Sequence, residues 1–549
     1  MRDWFKGGEP WIWTTAGAVA LSLVMVYAVV WMTAVQGLGH WWPKPLVETT
    51  VTESDGSIKR LIGELRDKEE ISLLRLRESG YDIKSEDKFT SRYLFKQGNR
   101  DVYGVDFKWI PTPLLGEFNF PKDVISIERH EWGSFFGHLK SVRENGRVVA
   151  EGKAAWPELQ KRLARSKDLF DRILGIEKHD IGKINYSLER LRLKQRKLEL
   201  LGELTDEAMA AISQERQQHD AALAKLQARL DELRAQNARD SLTAEIQDGQ
   251  VIEIPFSKIA DVIKPNDMSL LQKVGHYLQK LYEFIVDDPR EANTEGGIFP
   301  AIFGTVMMVL LMSVMVTPLG IMAAVYMREY ARQGPLIRII RISVNNLAGV
   351  PSIVYGVFGL GFFVYFLGGN IDALFFPEAH PAPVFGSPGI LWSSLTLALL
   401  TLPVVIVATE EGLSRVPRSI REGSLALGAT KAETLWRTVL PIASPAMMTG
   451  LILAVARAAG EVAPLMLVGV VKLAPSLPLD GNFPFLHLER KFMHLGFHIY
   501  DVGFQSPNVE AARPLVYATS LLLVITIVVR NLFAIRLRNR LREKMRGLE

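Results

Sequence analysis

The sequence predicts an α-helical membrane protein of six transmembrane helices, with an α+β domain carrying a helical hairpin inserted after the first of them. Three observations predict this. Hydrophobic residues make up 48% of the chain and charged residues 23%, with the apolar ones gathered into long runs. Lys and Arg cluster beside those runs, as topology-setting charges do. The stretch between the first two runs is polar and changes periodicity along its length.

The first run, Trp11 to Gln36, follows Arg2 and Lys6 and is flanked by Trp11, Trp13, Trp31, Trp41 and Trp42. It is long enough to cross an apolar layer of roughly 30 Å, with Trp at both interfaces. A cleaved signal peptide would have a shorter apolar core and a small-residue cleavage site, which "MTAVQGLGHWW" lacks. Residues 11–36 are therefore expected to stay as an anchor behind a cytoplasmic N-terminus, residues 1–10. Further runs lie at Ile298 to Tyr326, Ile342 to Leu367, Ile390 to Thr409, Ile442 to Val471 and Leu515 to Val529. Arg328, Arg332, Arg338 and Arg341 precede the third run. Arg415, Arg418, Arg421, Lys431 and Arg437 follow the fourth, and Arg530, Arg536, Arg538, Arg540, Arg542, Lys544 and Arg546 follow the last. The loop Gly368 to Gly389 has no Lys or Arg. The positive-inside rule then puts both termini and residues 410–441 in the cytoplasm, with a basic tail at 534–549, and residues 41–290 outside it.

Within 41–290, short alternating segments such as "DVYGVDFKWIP" and "DVISIERHEW" predict a small sheet with helices. From Ile181 the pattern turns helical. Ile184, Leu188, Leu191 and Leu198 form one stripe, Gly202 stops it, and Thr205 followed by Asp206 and Glu207 starts another. The second stripe runs through Met209, Ile212, Leu223, Leu226, Leu230 and Leu233. An antiparallel helical hairpin, coiled-coil-like, is expected over about 181–238, either as a spacer or as a docking surface. "DGQVIEIPFSKIADVIKP" reads as a returning strand.

A formal charge of +4 gives no argument for nucleic acid, and the absence of Cys excludes disulfides, thiol catalysis and thiolate metal sites. No "GxxxxGK[ST]" loop occurs, so active transport would draw its energy from another subunit or an ion gradient. Nothing in the sequence calls for a cofactor.

"REGSLALGATKAETLWRTVLP", residues 421–441, puts a polar segment between two apolar runs. Glu422 to Leu427 can form a short helix, Gly428 permits a sharp turn, a second short helix follows, and Pro441 enters the next span. Leu425, Leu427, Leu435 and Trp436 would be free to fill a partner's groove, or the pair would simply lie on the membrane face. Glu422, Gly428 and Leu440-Pro441 match the spacing of the EAA loop of ABC importer permeases, although Gly423 and Ser424 replace its two alanines and Thr438 its Ile. In that family the loop is the coupling helix seated in the ATP-binding subunit. "GGIFPAIFGT", "NNLAGVPSIVYGVFGLG" and "ARAAGEVAPLMLVG" further resemble the phosphate-specific permeases of the PstA family, over about Gly296 to Arg536. The resemblance implies a MetI-like permease core over 296–533 in the bacterial inner membrane. Its implied partners are a second, PstC-like permease, a PstB-like ATPase dimer and a PstS-like periplasmic phosphate-binding protein. The subunit itself would not be an enzyme. It says little about residues 41–290.

Arg457 and Glu461 stand four residues apart, on one expected helical face inside an apolar run, where ionisable groups usually face a bundle interior or a watery path and pair. The resemblance implicates them in the transport path; a purely structural ion pair is the alternative. In "NNLAGVPSIVYGVFGLG", Pro351 removes a backbone donor and glycines allow close approach, so a broken helix lining the pathway is expected, with Asn345, Asn346, Ser352 and Tyr355 as polar groups. His487, His494 and His498 would share one face of a helix, a solvated face being expected over a metal site. The leading reading is an inorganic phosphate importer's permease subunit. A permease for sulfate or molybdate, and a membrane-anchored sensor or scaffold with a coiled-coil ectodomain, are the other readings.

Overall fold

Two kinds of residue pattern fold into two units, residues 1–40 with 298–549 and residues 41–297. The computed structural model describes residues 9–53, 56–78, 88–290, 293, 295–506 and 509–546. Arg2, Lys6 and the last three residues of the basic tail lie outside them.

In the inserted unit, alternating residues build two larger antiparallel sheets, beside a two-residue pairing of Pro289–Arg290 with Glu295–Gly296. Strands β1 (Leu46–Thr52), β2 (Ile58–Ser72), β3 (Phe89–Lys96) and β4 (Phe107–Pro111) form a meander in that order. Strands β5 (Val124–Arg129), β6 (Ser134–Glu144), β7 (Arg147–Glu151), β8 (Asp240–Glu245), β9 (Val251–Pro255) and β10 (Ile259–Ile263) form the second sheet, ordered β10-β5-β6-β8-β9 with β7 also on β6. Its inward residues, among them Ile127, Phe135, Val142 and Leu242, are fully covered by Leu159 and Leu163 of the helix Ala155–Gly175 and by neighbouring apolar groups. Arg162 of that helix ties the layers by bonding Glu144 at 2.8 Å and Asp240 at 2.5 Å.

The same helix leads into a hairpin of Gly182–Leu201 and Asp206–Asn237. Gly202, at φ +68°, lets the chain reverse while its N–H caps the carbonyls of Leu198 and Glu199. The Thr205 hydroxyl accepts the Ala208 N–H at 3.2 Å to start the return helix. At the base of the hairpin Leu169, Ile173, Leu230 and Leu233 pack together.

Among the described residues of the membrane unit, six helices are long and apolar enough to cross a bilayer: Trp11–Trp41, Phe299–Tyr330, Ser352–Phe375, Ile390–Arg415, Lys431–Gly460 and Ala512–Arg540. The second, fourth and fifth form the core through Met308, Met312, Leu397, Val405, Ala454 and Ala458. Their axes come close because small residues face backbone and methyl groups: a Cβ on Gly450 would stand 2.4 Å from the Ala408 Cβ, and one on Gly320 2.6 Å from Val405. Gly37 of the first span meets the Ala518 backbone of the sixth in the same way.

Several boundaries differ from expectation. Residues Ile342 to Leu347 belong to a separate helix, Pro335–Leu347, whose apolar residues lie largely exposed, and the third span starts only after Pro351. Hydropathy cannot see this break, because Ala348 to Pro351 are themselves apolar; the missing Pro N–H and the steric restriction before it make the break. The fifth span ends at Gly460 rather than Val471, since Glu461 turns extended with ψ 129°. Its other end begins at Lys431, so the expected second short helix is the first turns of the span itself.

Candidate functional site

The segment between the fourth and fifth spans is built from local rules. Pro417 precedes a helix Arg418–Ala426, which ends where Gly428 adopts φ +89°. A Cβ at Gly428 would meet nothing within 4 Å, so conformation alone demands glycine here. Thr430 then opens the next helix with a capping box, its hydroxyl accepting the Glu433 N–H at 3.2 Å while the Glu433 carboxylate accepts the Thr430 N–H at 2.9 Å. The helix runs on through Leu440 and Pro441, which sits at the start of the regular portion Leu440–Gly460.

Glu422, Leu425, Leu427 and Trp436 are exposed, Leu427 at 91%. Leu435 is not available to a partner: it is buried with Leu413, Val416 and Val439, because the helix that carries it is the root of a span. Sequence reasoning also missed what fixes this segment. Arg421 donates to the Glu329 carboxylate at 3.0 Å and to the carbonyls of Leu413 and Val416 at 2.7 Å each. Lys431 donates to the Glu329 carbonyl and lies over the Tyr330 ring. The Ser424 and Thr434 hydroxyls join the two helices at 2.9 Å. Glu329, at the end of the second span, gave no motif; an acidic residue within the basic segment Arg328 to Arg341 was the available signal.

The second constellation forms where the third span meets the end of the fifth. Arg457 and Glu461 do not share a helix face, since Gly460 is the last helical residue and Glu461 caps it. They nonetheless meet, Arg457 Nε facing Glu461 Oε1 at 3.6 Å, with side-chain exposures of 36% and 20%. That separation exceeds a direct hydrogen bond and leaves a loose ion pair. A Cβ on Gly356 would stand 2.6 Å from the Pro464 Cα, and one on Gly359 2.3 Å from the Thr396 hydroxyl, so these glycines hold the third span against the chain just after Glu461 and against the fourth span. Tyr355 is buried and its hydroxyl donates to the Leu347 carbonyl at 2.6 Å, bridging the break made by Pro351. Asn345, Asn346 and Pro351 are exposed, and Ser352 is half-buried. The stretch is thus a broken helix, with Tyr355 and Gly356 turned into the packing and the asparagines left outside it.

The three histidines do not lie on one helix or on a solvated face; all are buried. His487 lies in a loop between Asp480 at 3.0 Å and Glu489 at 3.2 Å. His494 is the N-cap of the short helix Leu495–Tyr500, its Nδ1 accepting the Gly496 N–H at 3.1 Å, and His498 sits inside that helix. Burial holds the imidazoles of His494 and His498 down at about 3 and about 4, so both are neutral. The loop following Glu461 breaks the helical spacing that would have aligned them. Among the described residues, no three His, Asp or Glu side chains are grouped as metal ligands would be.

A family model described as binding-protein-dependent transport system inner membrane component matches residues 316–547. The phosphate transport system permease protein PstA of Mycobacterium leprae is 39% identical over 194 residues, 35% of this chain and 58% of that protein. PstA of Yersinia pestis is 33% identical over 239 residues, 44% of this chain and 71% of that protein. The permease protein PstC of Mesorhizobium japonicum is 32% identical over 189 residues, 33% of this chain and 58% of that protein. The chain thus spans 58% of the length of the mycobacterial relative, and residues 41–297 lie outside the family match.

Proposed function

This chain belongs to the binding-protein-dependent transport system inner membrane components, and from that premise we propose that it is the transmembrane permease subunit of an ATP-driven inorganic phosphate importer. ATP hydrolysis resides in a partner subunit. The observation that carries the coupling role is the helix Arg418–Ala426: it is exposed, closed by a glycine with positive φ, and clamped to Glu329, as a rigid element pressed by another protein should be. Glu422, Gly428, Leu440 and Pro441 form or root this element. The substrate assignment is supported by relatives named for phosphate transport, of which the chain covers 71% in one case; sulfate and molybdate permeases and a sensor or scaffold are not favoured. The remaining partners in this reading are a PstC-like permease, a PstB-like ATPase dimer and a PstS-like binding protein. By the Arg and Lys asymmetry, residues 41–290 lie outside the cytoplasm.

For translocation, Arg457 offers the charge that a desolvated anion requires, and its fork of donors suits a tetrahedral oxyanion. The loose contact with Glu461 lets the guanidinium exchange a carboxylate for a passing anion and return. The broken helix with Asn345, Asn346, Pro351, Ser352 and Tyr355 lines the same path in this reading.

The test is labelled phosphate uptake by the complex in vesicles. Arg457→Gln is expected to abolish uptake with the complex intact, and unlabelled phosphate, rather than sulfate or molybdate, to compete with uptake by the unaltered complex. Full transport by Arg457→Gln/Glu461→Gln would reduce the pair to a structural brace and overturn its role in the path.

A further inference from the structure

We propose that the helix Leu270–Val286, at the end of the inserted unit, is an interfacial helix that lies on the lipid surface. Its polarity is inside out. The side facing its own unit carries Lys273, His276 and Lys280, and Lys280 bonds Glu128 at 2.8 Å and reaches Asp261 at 3.4 Å, while His276 stands 3.7 Å from Asp261. The side turned away carries Leu270, Leu271, Val274, Leu278, Tyr282 and Ile285, with Leu271 exposed at 83% and Tyr282 at 65%. The exposed residues of the helix include no charged one. A surface helix of a water-borne domain buries its apolar stripe and exposes its charges; this one turns Lys280 and His276 onto its own sheets and presents the apolar stripe outward, as helices lying in a bilayer interface do.

The occupant follows from the chain's course. Trp41 closes the first membrane span, and its ring packs on Phe284 of this helix at 4.6 Å, with Trp42 on Tyr277 at 6.0 Å. Trp at the end of a span sits at headgroup level, so the helix that touches these two rings lies at that level too. Its C-terminus then leads within a short connection to Phe299, where the second span begins. A capping box of Ser269 and Gln272 fixes its start.

The absence of Cys makes single-site labelling direct. Nitroxide labels at Leu278→Cys and Leu271→Cys, in the full chain reconstituted into phosphatidylethanolamine and phosphatidylglycerol vesicles, are compared with Lys194→Cys on the exposed hairpin. Accessibility to oxygen, which concentrates in lipid, relative to a water-soluble nickel complex is expected to be about tenfold higher at 271 and 278 than at 194. Adding Leu278→Glu should bring the ratio at 271 down toward the value at 194. A ratio at 278 equal to that at 194 means a water-facing helix, and shielding from both reagents means a protein covers the stripe; either result overturns the proposal.

Discussion

In the inserted unit, Asp240, with 5% of its side chain exposed, is met by Arg162 at 2.5 Å, Arg165 at 3.0 Å and Arg239 at 2.9 Å. Glu128 is likewise held between Lys280 at 2.8 Å and Arg290 at 2.6 Å. In the membrane unit, Arg457 faces Glu461 across 3.6 Å, with 36% of its side chain exposed. A charge bound by several partners at hydrogen-bond distance is committed, because any change strands a buried ion; a charge in one long contact can change partners at small cost. Commitment suits a scaffold, and looseness is what the proposed transport path requires.

That contrast can be broken at graded strength. The largest effect is expected from Lys280→Met. Burial alone would push the Glu128 carboxyl up, but the charges of Lys280 and Arg290 outweigh it and hold the group below the usual carboxylate range. Removing Lys280 leaves Glu128 only Arg290 and should destabilise the inserted unit by about 1.5–3 kcal/mol, read as faster amide exchange in β5 and β10. Protection left unchanged would mean the network is not structural. Gly428→Val comes next. Forcing a β-branched residue to φ +89° should cost about 1–2 kcal/mol locally, and phosphate uptake should fall while capture by the binding protein persists.

A pH effect sharpens the comparison from another side. Burial, with the nearby Arg290 charge, holds His130 down at about 4, so in the folded unit it stays neutral where the unfolded chain would take a proton. Stability is then full above about 6.5, the unfolded value, and is lost as pH falls from there toward about 4. Exchange protection of the inserted unit should decline over that window, and less so in His130→Phe. The smallest change in stability belongs to Arg457→Gln, under about 1 kcal/mol for a loose, partly exposed pair. A loss of stability comparable to that of Lys280→Met would erase the distinction between the two kinds of site.

Much of this was legible in the sequence. Apolar runs located all six spans, and the helix stop at Gly202 with the cap at Thr205 located the hairpin turn, because these signals are local. The Ile342 to Pro351 boundary was not, since hydropathy records transfer to lipid and not the loss of one proline N–H. The histidine spacing misled because it assumed a helix through a segment that folds as loops onto the second span, where the Thr305 hydroxyl accepts the Leu495 N–H at 2.9 Å. At the candidate site, Arg457 and Glu461, expected on one helix face, meet across the end of the helix at Gly460, whereas Gly428 could be read from spacing. The clamp of Arg421 and Lys431 on Glu329 could not, because it joins residues far apart in the chain. The lipid-facing helix had its signal in plain view, a capping box followed by a 3.6-residue apolar period in "SLLQKVGHYLQKLYEFIV", but period alone cannot tell which side faces out.

The fifth span carries a mechanical consequence. Lys431 and Gly460 are the two ends of one helix, a rod about 45 Å long at the standard rise. One end stands beside the turn at Gly428 and the other beside Arg457. A tilt of about 5° of such a helix about one end carries the other by about 4 Å, somewhat less than the pitch of about 5.4 Å of one turn. A shift of that size exceeds the whole separation of Arg457 and Glu461. In the proposed function, a push at the Gly428 end reaches this loose, partly exposed pair as a displacement of one helix, with no signal relayed from residue to residue.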